Sequence, residues 1–119
     1  MFTAIVLNED SAMAVWRAAL ALDLIRAGCR EFCHHVTLAM GAPAGFNIGE
    51  SRTLTVTHYG ETAGRVTAFR VAGADDSANK VPHLTVTTFG DAKPKESNEI
   101  SAWVEIPPFE ISGTVTVCK

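Results

Sequence analysis

The apolar and polar positions divide this chain into short strand-like runs around one helical run. Residues 2–7 (FTAIVL) are almost wholly apolar and predict a buried strand. Residues 8–28 (NEDSAMAVWRAALALDLIRAG) open with cap-type and acidic residues and carry apolar Val15, Leu20, Leu22, Leu24 and Ile25. Arg26 near the end and Gly28 beyond it complete the signature of a helix that stops at Gly28. Residues 31–41 (EFCHHVTLAMG) read as a strand, followed by a loop rich in Gly and Pro. Residues 52–60 and 65–73 alternate as two strands of a hairpin. After a loop, ADDSANKVP, residues 83–90 (HLTVTTFG) read as another strand and residues 91–99 (DAKPKESNE) as a polar loop. The double proline at Pro107 and Pro108 makes residues 100–110 irregular or briefly helical, and residues 111–119 close the chain as a strand. One helix and about six strands, mostly hairpin neighbours, predict a single α+β domain over residues 1–119 with a largely antiparallel sheet.

Two of these strands share a pattern. In a strand, residues i and i+2 point to the same face. In residues 31–41, His35 and Thr37 therefore stand together with Cys33, while Phe32, His34, Val36, Leu38 and Met40 point the other way. In residues 83–90, His83, Thr85 and Thr87 share one face and Leu84 and Val86 the other. Each strand has an apolar back and a polar front bearing an imidazole and a hydroxyl. Threonine is common in strands, so the spacing alone also suits two ordinary strands. The matched apolar backs, one in each half of the chain, favour chemistry. Two histidines can divide the roles of general base and general acid near neutral pH. Adjacent threonine hydroxyls can donate hydrogen bonds to phosphoryl oxygens as charge builds up on them. Opening a cyclic phosphate needs that set of groups and no metal.

Composition narrows the setting. The apolar fraction of 47% supports a true core, and the net charge of −3 argues against a double-stranded DNA partner held by phosphate contacts. No apolar run approaches the roughly 20 residues a membrane span needs. The acidic start predicts no signal peptide, and three cysteines without one predict free thiols in the cytosol. The chain is expected to be a monomer.

The segments HVTL at His35–Leu38 and HLTV at His83–Val86 resemble the two His-x-Thr-x motifs of the 2H phosphoesterase superfamily. SANKVPHLTV and KPKESNEI are most similar to its RNA-repair branch, near the cyclic phosphodiesterase domain of fungal-type tRNA ligases. The resemblance implies a two-lobed, pseudo-symmetric fold with one motif per lobe facing a shared cleft. It implies a metal-independent phosphodiesterase that opens 2′,3′-cyclic phosphates on an RNA 3′ end or a cyclic nucleotide, with His35, Thr37, His83 and Thr85 as the catalytic residues and no cofactor. The alternative is a non-catalytic module that binds RNA ends in the same cleft. The chain is short for that superfamily, and it carries the loop ADDSANKVP where many members have a helix.

Other polar positions carry weaker signals. Lys80, Lys93, Lys95, Ser97 and Asn98 flank the second motif and could contact a phosphate or ribose, with Lys80 and Ser97 the preferred pair. The cluster CREFCHH lacks the spacing of a zinc knuckle and has no second ligand pair, so no metal is assigned. Cys29 and Cys118 read as small buried residues. His34 reads as a structural histidine on the apolar face, and His58 as a surface or turn residue. Tyr59, Trp103 and Phe109 could stack a base, although core packing is the simpler reading of the last two.

Overall fold

A computed structural model describes all residues from Met1 to Lys119. The elements run β1 (Phe2–Leu7), α1 (Glu9–Ala21), β2 (Arg30–Glu31), β3 (His35–Met40), β4 (Ser51–Thr62), β5 (Val66–Ala72), β6 (His83–Thr88), a 3₁₀ helix (Pro94–Glu99) and β7 (Trp103–Cys118). Every strand pairing is antiparallel. The order β6-β3-β1-β7-β4-β5 closes on itself through a β5–β6 pairing, so six strands form a barrel and β2 adds a short rung to β6. The fold is therefore α+β with one main helix, as the pattern of the sequence predicts.

The main core is a single apolar cluster. Ile5, Val36, Leu38, Leu54, Val56, Phe69, Leu84, Val86, Ile111 and Val115 enter it from the strands, with Val15 and Ala19 from α1. Asn8 caps α1 by accepting from the Ser11 N–H at 2.8 Å, and Glu9 and Asp10 lie in the first turn, where the helix dipole favours acids.

The helix ends seven residues before the predicted Gly28. Asp23 takes a left-handed conformation with φ 58°, its N–H donates to the Leu20 carbonyl, and the Leu24 N–H donates to the Ala19 carbonyl. That is a Schellman cap with Asp in the place usually held by Gly, and it turns the apolar Leu24 into the core. Residues 100–110 also differ from expectation. β7 runs straight through the two prolines, because Ile106, Pro107 and Pro108 bulge opposite the single residue Thr57 between the pairs Val56–Phe109 and His58–Glu105. Proline lacks an N–H, and a bulge is where a ladder does not require one.

Residues 94–99 are a 3₁₀ helix rather than an open loop. Pro94 starts it, the Glu96 carboxylate accepts from the Lys93 N–H at 2.6 Å, and Arg65 pairs with Glu96 from the β4–β5 turn. Behind it, Val66, Ala68, Ala92 and Ile100 form a second small cluster against Trp103. Phe109 packs edge-on to Phe69 at 6.1 Å, and Tyr59 also lies against the main core. Of the cysteines, Cys33 is the buried one, while Cys29 and Cys118 are half-buried.

Candidate active site

β3 and β6 meet at one backbone bridge, Val36 to Leu84. These are the residues between histidine and threonine in each motif. Beyond the bridge the backbone of β3 turns to other partners. The Thr37 carbonyl accepts from the Ser77 hydroxyl at 2.8 Å and the Leu38 carbonyl from the Ala78 N–H at 2.7 Å. The loop after β5 thus lies along β3 and brings Asn79 to the seam.

Over this seam lies a pocket of about 160 Å³ lined by His35, Thr37, Met40, Asn79, His83, Thr85, Pro94, Lys95 and Asn98. The two motif histidines and their threonines thus face one space. No carboxylate lines it, and Lys95 brings a positive charge to the rim, so the lining suits an anion.

Each motif strand carries a bulge directly after its threonine. On β3, Thr37 pairs with Ala4 and Ala39 with Thr3, which leaves Leu38 as the extra residue. On β6, Thr85 pairs with Ala68 and Thr87 with Thr67, which leaves Val86 extra. A bulge reverses the alternation beyond it. Two expectations are corrected on that ground. Met40 pairs with Phe2, on the face of β1 that also carries Ala4 and Val6, so it joins His35 and Thr37 instead of the core; it is 77% exposed. Thr87 turns away from His83 and Thr85 to the core side, where it bonds the Thr67 hydroxyl and donates to the Leu24 carbonyl. Cys33 also leaves the polar face. Its positive φ of 57° breaks the strand before His35 and sends the thiol into the core beneath β6, where burial pushes it up to about 12. A thiol so placed stays protonated.

The imidazoles are set by different partners. His83 is buried and donates Nδ1–H to the Val81 carbonyl at 2.9 Å, which leaves Nε2 as the nitrogen carrying the lone pair when the ring is neutral. Burial lowers its proton affinity, and the Val81 bond offsets part of that. His35 is pushed down to about 4, first by burial and then by the neighbouring rings of His34 and His83. Thr85 is held by Ser97, the two hydroxyl oxygens being 2.9 Å apart.

The polar residues singled out in the sequence fall in three places. His35, Thr37, His83 and Thr85 line the pocket. Ser97 is 1% exposed and lies behind Thr85, so it supports a lining hydroxyl and does not face the space itself. Lys80 is exposed and is not part of the lining, where Lys95, Asn98 and Asn79 stand instead. His58 contacts the Thr57 hydroxyl, 2.8 Å away, and does not line the pocket, although its β5 partner Arg70 pairs in turn with His83. Within CREFCHH or elsewhere, no group of three or more His, Cys, Asp or Glu side chains comes together to hold a metal ion.

Sequence reasoning missed an aromatic border. Phe2, Phe32, His34, Met40 and Pro94 form a shallow apolar shelf that shares His35 and Thr37 with the pocket. Phe2 lies 5.2 Å from His35 and Phe32 lies 6.1 Å from His34, ring centre to ring centre. The available signal was the spacing of Phe2, Ala4 and Val6 on β1, but it gains meaning only once β1 is known to pair with β3. No protein-family model, curated protein or solved structure matches the chain.

Proposed function

We propose that the chain is a metal-independent phosphodiesterase that opens 2′,3′-cyclic phosphates on RNA ends or nucleotides. The observation that carries the reading is the convergence of His35, Thr37, His83 and Thr85 on one carboxylate-free pocket. The phosphate sits between the two imidazoles. One takes a proton from water and the other gives one to the leaving oxygen. Thr37 and Thr85 donate to the non-bridging oxygens, and Lys95 neutralises charge at the rim. The pocket holds the phosphate and its fused sugar, and the base lies outside, toward the apolar shelf.

On this reading the fold is a 2H-type pair of lobes. β3 and β6 are their motif strands, meeting at Val36 and Leu84. The matching bulges at Leu38 and Val86, one residue after each threonine, support this arrangement. The work of the chain would then lie in RNA repair, in the cytosol, as a monomer.

One observation favours a second reading. Both motif histidines are held below their usual proton affinity, which suits neutral hydrogen-bonding groups in a module that binds RNA ends without cutting. The decisive experiment is product analysis after incubation with a 2′,3′-cyclic nucleotide and with a short RNA ending in a cyclic phosphate, both in EDTA. Ring-opened monophosphate supports the enzyme. Saturable binding with no product supports the module. Turnover that EDTA abolishes and zinc restores overturns the mechanism.

A further inference from the structure

We infer that His34 is a positioning residue for His35, a single proton between their Nδ1 atoms fixing which nitrogen of His35 meets the substrate. The inference rests on the catalytic reading of the pocket. Its geometry stands apart from that reading. The two Nδ1 atoms are 2.7 Å apart, and the rings are tilted by 31° with centres 4.6 Å apart. Phe32 borders His34 on one side and Phe2 borders His35 on the other, so the pair is held between two phenyl rings.

Two ring nitrogens at that distance cannot both carry hydrogen, and two lone pairs would repel. One must be N–H and the other an acceptor. The tautomers of the two rings are therefore coupled. His35 is the more deeply buried ring, and charging it is the costlier choice, which its depressed proton affinity of about 4 reflects. His34 thus supplies Nδ1–H, and His35 accepts at Nδ1 and keeps its own proton on Nε2. His83, bonded through Nδ1–H to Val81, presents the opposite atom type, a lone pair on Nε2. The two motif rings then differ: His83 takes the proton of the attacking water, and His35 offers an N–H to the leaving oxygen.

This arrangement also answers how a ring as buried as His35 can serve as the acid. A bound phosphate raises the proton affinity of the groups around it. The extra proton then enters the pair on His34, whose second nitrogen is free to take it, so His34 is the imidazolium and His35 stays neutral. When the leaving oxygen takes the Nε2 proton of His35, the Nδ1 proton of His34 passes to Nδ1 of His35. Both rings finish neutral, one proton has been delivered, and His35 never bears a charge. The other titratable groups that line the pocket with His35 are His83 from β6, which disfavours a charge on it, and Lys95 from the 3₁₀ helix.

The test uses the full chain labelled with ¹⁵N-histidine and reads long-range ¹H–¹⁵N correlations across pH, with and without inorganic phosphate. The expected spectrum has neutral His35 as the Nε2–H tautomer and His83 as the Nδ1–H tautomer. In His34→Ala, His35 should become a mixture of tautomers and its midpoint should rise. His34→Gln, whose side-chain amide can still donate, should restore the single tautomer. In turnover, His34→Ala should lower kcat by about 10-fold or more with little change in KM, and should move the limb of the pH profile set by the acid. His35 found as Nδ1–H in the wild type, or keeping one tautomer and its midpoint in His34→Ala, overturns the inference whatever the activity. A coupled pair in a protein that opens no cyclic phosphate retains the coupling and overturns only the proposed reaction.

Discussion

Thr85 and Ser97 face each other with their hydroxyl oxygens 2.9 Å apart, both shielded from solvent. Ser97 comes from the 3₁₀ helix and Thr85 from β6, so a segment pinned from behind by Arg65 and Glu96 fixes a hydroxyl of the pocket. Ser97→Ala should remove that support. A lost buried hydrogen bond costs about 1 kcal/mol of stability. Turnover should fall about 10-fold, and Thr85→Val, which removes the donor itself, should lose on the order of 10- to 1000-fold. Paired urea melts and kinetics check both. A Ser97→Ala loss that exceeds the Thr85→Val loss would contradict the supporting role.

His35→Ala and His83→Ala should each lose about 10²–10⁴-fold in turnover, the usual range for a general acid or base, with circular dichroism unchanged. If both act in one step, the double variant should lose far less than the product of the two. Losses that multiply would mean the rings act separately.

The depressed affinity of His35 links stability to pH. An unfolded imidazole titrates near 6.5, and the folded ring near 4. Between these values the unfolded chain holds the extra proton, so stability is complete above about pH 6.5 and is lost as pH falls toward 4. Thermal melts at pH 7 and pH 4.5 should show that drop, and His35→Gln should flatten it. An unchanged slope in the variant would move its origin to other groups.

Lys95 lines the pocket and Lys80 does not. Lys95→Ala should raise KM for a cyclic nucleotide about 10-fold, with a larger effect at low salt than at high salt. Lys80→Ala should leave KM within about 2-fold on the same physical grounds. Equal effects would mean that Lys80 reaches the substrate from its loop.

Gly113 of β7 pairs with Leu7 at the end of the β1 ladder. A Cβ there would clash with the Val6 carbonyl oxygen, a contact that only backbone movement can relieve. Gly113→Ala should therefore cost about 1–3 kcal/mol, the scale of overpacking in a packed interior. Equilibrium denaturation measures it. A loss below the cost of an ordinary surface substitution would show that the strands can slide apart.

Much of this molecule is legible in its alternation. β1 falls on Phe2–Leu7 as read, and the hairpin strands and β6 lie within two residues of their expected bounds. The His-x-Thr spacing also places the four motif side chains on faces that do meet. What local pattern could not give was where alternation stops. Leu38 and Val86 look like any apolar strand residue, yet each is an extra residue in its ladder, a fact that depends on the length of the partner strand. Pro107 and Pro108 read as a break because nothing nearby reveals that a single residue, Thr57, stands opposite them. Asp23 in a cap usually given to glycine is set by the burial of Leu24. Lys95 stands at the pocket where Lys80 does not because residues 94–99 form a short helix, which their polar pattern did not announce, and Lys95 and Asn98 of that helix line the space.

The placement of β1 between β3 and β7 has a kinetic consequence. The ring cannot close until its first strand finds its seventh, a pairing that joins Phe2 to Cys118. Such a contact must bear the entropy of closing nearly the whole chain before it returns any stabilisation, so the barrel should fold slowly for its size. During synthesis β1 would wait, with one edge unpaired, until residues 103–118 leave the ribosome. That interval, rather than the finished barrel, is when this chain is most exposed to aggregation.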